Sequence, residues 1–204
     1  MPTNKTLVLA SGSPRRKALL EDLGLDIQVR VSDAEEIELG TPEAVVLTNA
    51  RLKCEAVAQD AAPHEIIMAA DTIVVLGDRI LGKPKTLDEA RAMLRDLSGH
   101  THRVMTGIAV RGEENAPLAE GVEITEVTFR TLSDAEIDHF VDAVRPLDRA
   151  GAYTVDGPGS LLVAGYKGCY YNVLGLPLVH LHGLLKGFGL DLFEAMNPQN
   201  TRFL

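Results

Sequence analysis

The chain has 204 residues, 46% of them hydrophobic, which is enough for one sizeable core, and we predict a single domain over residues 1–204. The formal net charge of −9 repels polyanions, so neither nucleic acid nor an anionic membrane is expected as a partner. No run approaches the roughly 18 apolar residues of a membrane span, and the first residues lack a secretory pattern, so we expect a cytoplasmic protein. Cys54 and Cys169 are too few and too far apart to indicate a disulfide framework or a zinc site.

Strand-like and helix-like segments alternate along the chain, a pattern typical of an α/β sheet with flanking helices. Buried strands are predicted at Thr6–Ala10 and Ile66–Leu76, because both are runs rich in Val, Ile and Leu. A shorter strand is predicted at residues 27–31, and helical spacing of apolar residues predicts a helix over Pro42–Gln59. The later predicted elements are a helix over 86–99, strands over 101–110 and 121–132, a helix after a Ser133/Glu136 capping box, and an apolar helix over Leu178–Phe188.

The sequence SGSPRR follows the first predicted strand and opens a helix with two cations. Pro14 suits the first helical position and Ser13 the N-cap, so Arg15 and Arg16 fall in the first turn. Cations there oppose the helix dipole by roughly 0.3–1 kcal/mol each, and a bound anion would reverse that effect. Free N–H groups, serine hydroxyls and two guanidiniums therefore predict a phosphate site, with two solvated arginines on a surface helix as the alternative.

Asp71 lies at the centre of the apolar run AADTIVV, where an unpaired carboxylate would be strongly destabilising. It therefore requires a metal, a cation or a reactive water, unless it lies in a loop after the strand. The acidic stretch SDAEEIE adds Asp33, Glu35, Glu36 and Glu38, whose oxygens suit Mg²⁺ or Mn²⁺ together with substrate phosphates. The alternative for that stretch is a solvated acidic face.

Two lysines also occupy unusual positions. Lys53 lies on or beside the apolar face of its predicted helix, and Lys83 lies in the loop sequence LGKPK, beside the rigid Pro84. Both are candidates for contacts with phosphate oxygens, and solvated lysines are the alternative.

His100 and His102 share one face of a predicted strand, but no third ligand accompanies them, so structural or exposed histidines are favoured. The common serine-hydrolase, zinc-protease and dinucleotide-binding motifs are absent from the sequence.

Several of these motifs occur together and in a specific order: LASGSPRRKALL, the glutamate pair at 35–36, ARLK at 50–53, AADTIVV, LGKP, LSGHTHRVMTG, LDRAGAY and NVLGLPL. From Leu9 to Leu178 the chain thereby resembles the Maf family of nucleoside triphosphate pyrophosphatases. The resemblance implies an α/β fold similar to that of the inosine triphosphate pyrophosphatases, with a mixed twisted sheet, flanking helices and two lobes around a cleft. It also implies a homodimer that uses a divalent metal cation, Mg²⁺ or Mn²⁺, to cleave a nucleoside triphosphate into the monophosphate and pyrophosphate.

The resemblance assigns roles to individual positions. Asp71 is implied as the catalytic base and, with Glu36, as a metal ligand. The residues implied to bind the triphosphate are Ser11, Arg15, Arg16, Lys53 and Lys83. The SPRR and ADT sequences are similar to those of the branch that acts on dTTP and UTP, which is our main hypothesis. A 7-methyl-GTP pyrophosphatase and a nucleotide-sensing regulator of cell division arrest are the alternatives.

One position departs from the pyrimidine branch. That branch usually has Ile-Gln-Gly where this chain has Val155-Asp156-Gly157. Asp156 is therefore a candidate contact to the base, but an ionised aspartate only accepts hydrogen bonds, whereas a glutamine amide both donates and accepts. Activity on modified nucleotides is compatible with this change.

Overall fold

The computed structural model describes residues 5–112 and 117–202, so both ends of the predicted 1–204 domain lie outside the described residues. The strands are β1 Thr6–Leu9, β2 Ile27–Val29, β3 Glu65–Leu76, β4 Arg79–Leu81, β5 Thr101–Arg111, β6 Ala119–Phe129 and β7 Val163–Lys167. The helices are α1 Pro14–Asp22, α2 Pro42–Ala58, α3 Leu87–Leu97, α4 Asp134–Val144, α5 Tyr170–Val173, α6 Leu178–Lys186 and α7 Leu192–Ala195. Two short 3₁₀ segments cover Ala150–Ala152 and Gly157–Leu161.

These strands form one mixed sheet in the order β2-β1-β3-β5-β6-β7, and β4 pairs with β3. β1 is parallel to both β2 and β3, whereas the β3–β4 and β6–β7 pairs are antiparallel. The prediction of a mixed α/β sheet with flanking helices is thus confirmed. No helix in the described part of the chain is long and apolar enough to cross a membrane.

The chain divides into two compact units. The first comprises the described parts of Met1–Asp71, Thr106–Val122 and Gly175–Leu204, and the second comprises Thr72–Met105 and Glu123–Leu174. Among the described residues, two apolar clusters lie in the first unit and one in the second. The two units agree in number with the two lobes that the resemblance implies, and the single domain stays a prediction.

β1 and β3 are buried on both faces, which explains why their sequences are almost uninterrupted apolar runs. Alternate residues point to opposite faces of a strand, so Ile66 and Met68 of β3 pack in one apolar cluster while Ile67 and Ala69 pack in another. The second cluster contains Cys54 of α2. Burial raises the pKa of that thiol to about 12, so Cys54 remains a protonated core residue.

Helix α2 lies unusually close to β5, and a single glycine permits this approach. A Cβ atom placed on Gly107 would lie 2.3 Å from the carbonyl oxygen of Val46, well inside van der Waals contact. Glycine is therefore the residue that fits at this point of the strand. Because Val46 is one turn before Asn49 and two turns before Lys53, the close packing also determines how far these side chains stand from the sheet.

The core of the second unit contains three aromatic rings packed edge to face, those of His102, Phe129 and Tyr153, with centroids 4.9–5.4 Å apart. His102 Nε2 shares a 2.7 Å hydrogen bond with the Tyr153 hydroxyl, and Nδ1 has no hydrogen-bond partner within the described residues. His102 is therefore a core residue, and His100 is exposed before β5, which agrees with the structural reading of this pair. The predicted capping box of Ser133 and Glu136 is also present, at the start of α4.

We expect His102 to make the protein sensitive to acid. Burial lowers the pKa of His102 to about 4, whereas an unfolded histidine titrates near 6.5. The unfolded chain therefore binds an extra proton between these values, and stability is lost as the pH falls through this window. Between pH 7.5 and pH 5, urea unfolding should show the parent losing about 2 kcal/mol more than His102→Gln, which does not titrate. Equal losses in the two proteins would contradict this prediction.

Candidate active site

Asp71 lies inside β3, not in a loop after it, and is 8% exposed. By strand alternation it points to the same face as Ile67 and Ala69, which is the face covered by α2. A carboxylate in this apolar run is therefore explained by the alternation of side chains along the strand. Asp71 points towards α2, the helix that carries its polar partners. The prediction that Asp71 belongs to a buried strand is confirmed.

Lys53 on α2 supplies the cation that Asp71 requires. Its Nζ lies 2.8 Å from Asp71 Oδ1 and 2.9 Å from Glu36 Oε1, and its side chain is only 14% exposed. A lysine beside an apolar helix face is therefore explained by an ion pair, since a buried carboxylate without a partner is strongly destabilising. The structure brings these three predicted site residues together around one ammonium group.

Asn49 completes the surroundings of Asp71. Its Nδ2 donates to Asp71 Oδ2 at 3.3 Å and to the carbonyl of Ile37 at 3.0 Å, while the Ile37 N–H donates to Asn49 Oδ1 at 2.8 Å. No role is predicted for Asn49 from the sequence. The sequence signal that could have identified it was an amide at an apolar-face position of α2, one turn before Lys53. In the structure Asn49 is 3% exposed.

The predicted start of α1 is confirmed: Ser13 is the N-cap, Pro14 occupies the first turn, and Ser13 Oγ accepts from the Arg16 N–H. Arg16 is buried, not solvated, and donates from Nη1 to Ser11 Oγ at 3.0 Å and from Nε to the Gly175 carbonyl at 2.8 Å. A fixed guanidinium therefore lies at the N-terminus of a helix, where N–H groups are directed at incoming anions.

Arg16 interacts electrostatically with the carboxylates described above. Burial lowers the pKa of Arg16 from its ordinary value, and the negative charges of Asp71 and Glu36 oppose that change. Arg15 is half-buried and, as a like charge, adds to the lowering. The first unit thus gathers cations and two carboxylates in one place, an arrangement that can hold phosphate oxygens and a polarised water.

Lys83 and Asp156 belong to the second compact unit, whereas Ser11, Arg16 and Asp71 belong to the first. Both Lys83 and Asp156 are exposed. Asp156 Oδ1 accepts a hydrogen bond from the Thr154 hydroxyl, and its other oxygen can act as a further acceptor. Their roles in binding the triphosphate and the base stay predictions.

The acidic stretch contributes one residue to the site. Glu36 reaches Lys53, while the other members of the predicted oxygen-ligand set, Asp33, Glu35 and Glu38, are exposed like an ordinary solvated face. No group of three or more His, Cys, Asp or Glu side chains within the described ranges could hold a metal ion. Glu36 and Asp71 nevertheless lie side by side on the Lys53 ammonium, and one or two carboxylates, completed by water and substrate phosphates, are the ligands that Mg²⁺ usually takes.

Comparisons with known proteins place this site in context. A family model described as "Maf-like protein" matches residues 6–188. A protein of Bacillus cereus (strain G9842) named dTTP/UTP pyrophosphatase is 45% identical over 193 residues, covering 94% of this chain and all of that protein. One of the same name from Anaeromyxobacter dehalogenans (strain 2CP-C) is 47% identical and covers 91% of this chain and 95% of its own length. Among solved structures, the Staphylococcus aureus Ham1 protein matches with a TM-score of 0.44 and 18% identity, over 61% of this chain and 72% of that one.

Proposed function

The chain belongs to the Maf family, and we propose that it hydrolyses dTTP and UTP to the corresponding monophosphate and pyrophosphate. The observation that carries this proposal is the position of Asp71, a buried strand carboxylate held by Lys53 on the α2 face of β3 and close enough to Arg16 to influence its pKa. Relatives of 45% and 47% identity named dTTP/UTP pyrophosphatase support the same reaction. The biological role we infer is control of the nucleotide pool.

In this proposal, Ser11, Arg15 and Arg16 bind the polyphosphate at the start of α1, where the N–H groups add to the attraction. Asp71 accepts the proton of the attacking water, which forms a new bond to the α-phosphorus as the bond from that phosphorus to the bridging oxygen breaks. The cations Arg16, Lys53 and Lys83 offset the charge that develops on the departing pyrophosphate. A divalent cation held by Glu36 and Asp71 would supply further charge neutralisation and orientation of the water.

The choice of base depends on the position of Asp156. A carboxylate that already accepts a hydrogen bond from Thr154 can accept another from the N3–H of thymine or uracil, but it cannot donate to a base carbonyl. The names of the relatives favour dTTP and UTP over 7-methyl-GTP. We therefore keep the pyrimidine nucleotides as the substrates and expect the missing donor to weaken discrimination against modified bases.

Three further properties are part of the proposal. We infer that Mg²⁺ or Mn²⁺ is the cofactor, because Glu36 and Asp71 place two carboxylates beside each other, both in contact with the Lys53 ammonium. We also infer a cytoplasmic location, where nucleoside triphosphates are made and used, and a homodimer, which the family resemblance implies.

The substrate proposal is tested by measuring pyrophosphate release from dTTP, UTP, CTP, GTP and 7-methyl-GTP, each with Mg²⁺ or Mn²⁺. We expect kcat/KM for dTTP and UTP to exceed that for the other triphosphates at least about tenfold, the discrimination that one well-placed hydrogen bond supplies. Preferred turnover of 7-methyl-GTP would contradict the base assignment. Tight nucleotide binding without release of pyrophosphate would instead support the nucleotide-sensing alternative.

A further inference from the structure

Asn49 joins two segments that are distant in sequence. It lies on the buried face of α2, and its side-chain amide both donates to the carbonyl of Ile37 at 3.0 Å and accepts from the N–H of the same residue at 2.8 Å. These two hydrogen bonds resemble the pair that a residue of a neighbouring antiparallel strand would make. Residue 37 lies in a segment without regular secondary structure between β2 and α2, so the amide attaches that segment to the helix.

The remaining hydrogen of the same amide is directed at the active-site carboxylate. Asn49 Nδ2 lies 3.3 Å from Asp71 Oδ2, while Lys53 Nζ lies 2.8 Å from Asp71 Oδ1. Each oxygen of Asp71 thus has its own donor, and both donors come from the same face of α2. An amide and an ammonium four residues apart on one helix therefore orient the carboxylate plane.

Glu36 immediately precedes the anchored residue. Its side chain is 53% exposed, and an exposed ion pair alone holds a flexible glutamate weakly. The backbone next to it is fixed, however, by the two hydrogen bonds between Ile37 and Asn49. The position of Glu36 Oε1, 2.9 Å from Lys53 Nζ, is therefore a consequence of that anchor as much as of the ion pair.

We propose that Asn49 is a positioning residue for the hydrolysis. Its amide connects the Ile37 backbone to Asp71 and so places the Glu36 and Asp71 carboxylates around the Lys53 ammonium. This inference rests on the proposed function, because Glu36 and Asp71 are the two carboxylates that would hold a divalent ion. The effect of Asn49 is exerted through Glu36 and Asp71.

The test uses Asn49→Leu, which keeps the number and branching of the side-chain heavy atoms but removes the amide. We expect the dissociation constant for Mn²⁺ alone, without nucleotide, to rise about 10–100-fold, as is usual when an outer partner of a metal ligand is lost. kcat for dTTP at a fixed Mn²⁺ concentration should fall with it, while KM changes less than about threefold because Arg16 and Ser11 are untouched. The matched control is Asn172→Leu, another buried asparagine, which donates to the Val104 carbonyl and to Thr125 Oγ1 in the second unit. It should lose thermal stability and keep the parental Mn²⁺ affinity.

Hydrogen exchange at the Ile37 amide gives a second measurement that does not depend on activity. This N–H should exchange at least about tenfold faster in Asn49→Leu than in the parent, since its acceptor is gone. The role of Asn49 would be overturned if Asn49→Leu showed unchanged exchange of the Ile37 amide or unchanged Mn²⁺ affinity. It would also be overturned if Asn172→Leu lost as much Mn²⁺ affinity as Asn49→Leu. A parent protein that releases no pyrophosphate from any triphosphate would refute the proposed function instead, and the exchange comparison would still decide whether Asn49 holds the segment.

Discussion

Replacing Asp71 by asparagine should lower kcat for dTTP and UTP roughly 10³-fold, within the range that a general base contributes. The carboxamide has the same shape and still fits between Lys53 and Asn49, but it cannot accept a proton from water and no longer pairs an ionised oxygen with the Lys53 ammonium. Arg16 keeps its hydrogen bonds to Ser11 and the Gly175 carbonyl, so the phosphate-binding end of the site stays assembled. KM should therefore change by less than about tenfold.

Steady-state pyrophosphate release gives kcat and KM for the parent and for Asp71→Asn. Asp138→Asn is a suitable control, because it makes the same change of charge in an ion pair with Arg91 in the second unit. It should retain parental kcat. A fully active Asp71→Asn protein would remove Asp71 from the mechanism, and an inactive Asp138→Asn protein would show that loss of one aspartate charge, not the position of Asp71, causes the effect.

The part of the site that sequence reasoning located consists of residues that conflict with their surroundings. Asp71 in an apolar strand and Lys53 beside an apolar helix face are each destabilising alone, and the structure pairs them at 2.8 Å. The arginines in the first turn of α1 are a similar conflict. Each conflict is visible in a stretch of about ten residues, so local sequence patterns are sufficient to find it.

Asn49 and Gly175 were missed for the opposite reason. A polar amide on a helix face is an ordinary observation until its partners are known, and those partners belong to other segments. The Gly175 carbonyl that holds Arg16 is 159 residues away along the chain, and only the folded structure brings the two together. Contacts of this kind depend on tertiary packing, which neither periodicity nor capping signals encode.

The fold shows the same division. The apolar runs of β1 and β3 predicted those strands nearly to their ends, because both are buried on two faces. β7 was not predicted, since its sequence VAGYK is short, carries a glycine and lies at the sheet edge with an irregular register opposite β6. The close packing at Gly107 could not be predicted either, because a glycine in a strand gives no information about the helix that packs against it.

Replacing Gly107 should affect both the stability and the activity of the protein. In Gly107→Ala, the new Cβ would lie 2.3 Å from the Val46 carbonyl oxygen and 2.5 Å from its carbon, so α2 has to move away from the sheet. Overpacking of this kind destabilises by about 1–3 kcal/mol, which corresponds to a fall in Tm of roughly 2–12 °C for a chain of this size. The displacement is carried along α2 to Asn49 and Lys53, and a misplacement near 1 Å at the Asp71 carboxylate lowers kcat about 10²-fold.

Calorimetry and steady-state kinetics on Gly107→Ala measure both effects. Gly165→Ala is the matched control, because Gly165 is also a strand glycine, in β7, and a Cβ there meets no atom within 4 Å. It should keep the parental Tm and kcat. If the Gly107 variant were as stable as the parent, α2 could not be held against β5 at this distance. If it were less stable but fully active, the separation of α2 from the sheet would not govern the geometry of Lys53 and Asp71, and the ion pair would have to be maintained by the acidic segment that carries Glu36.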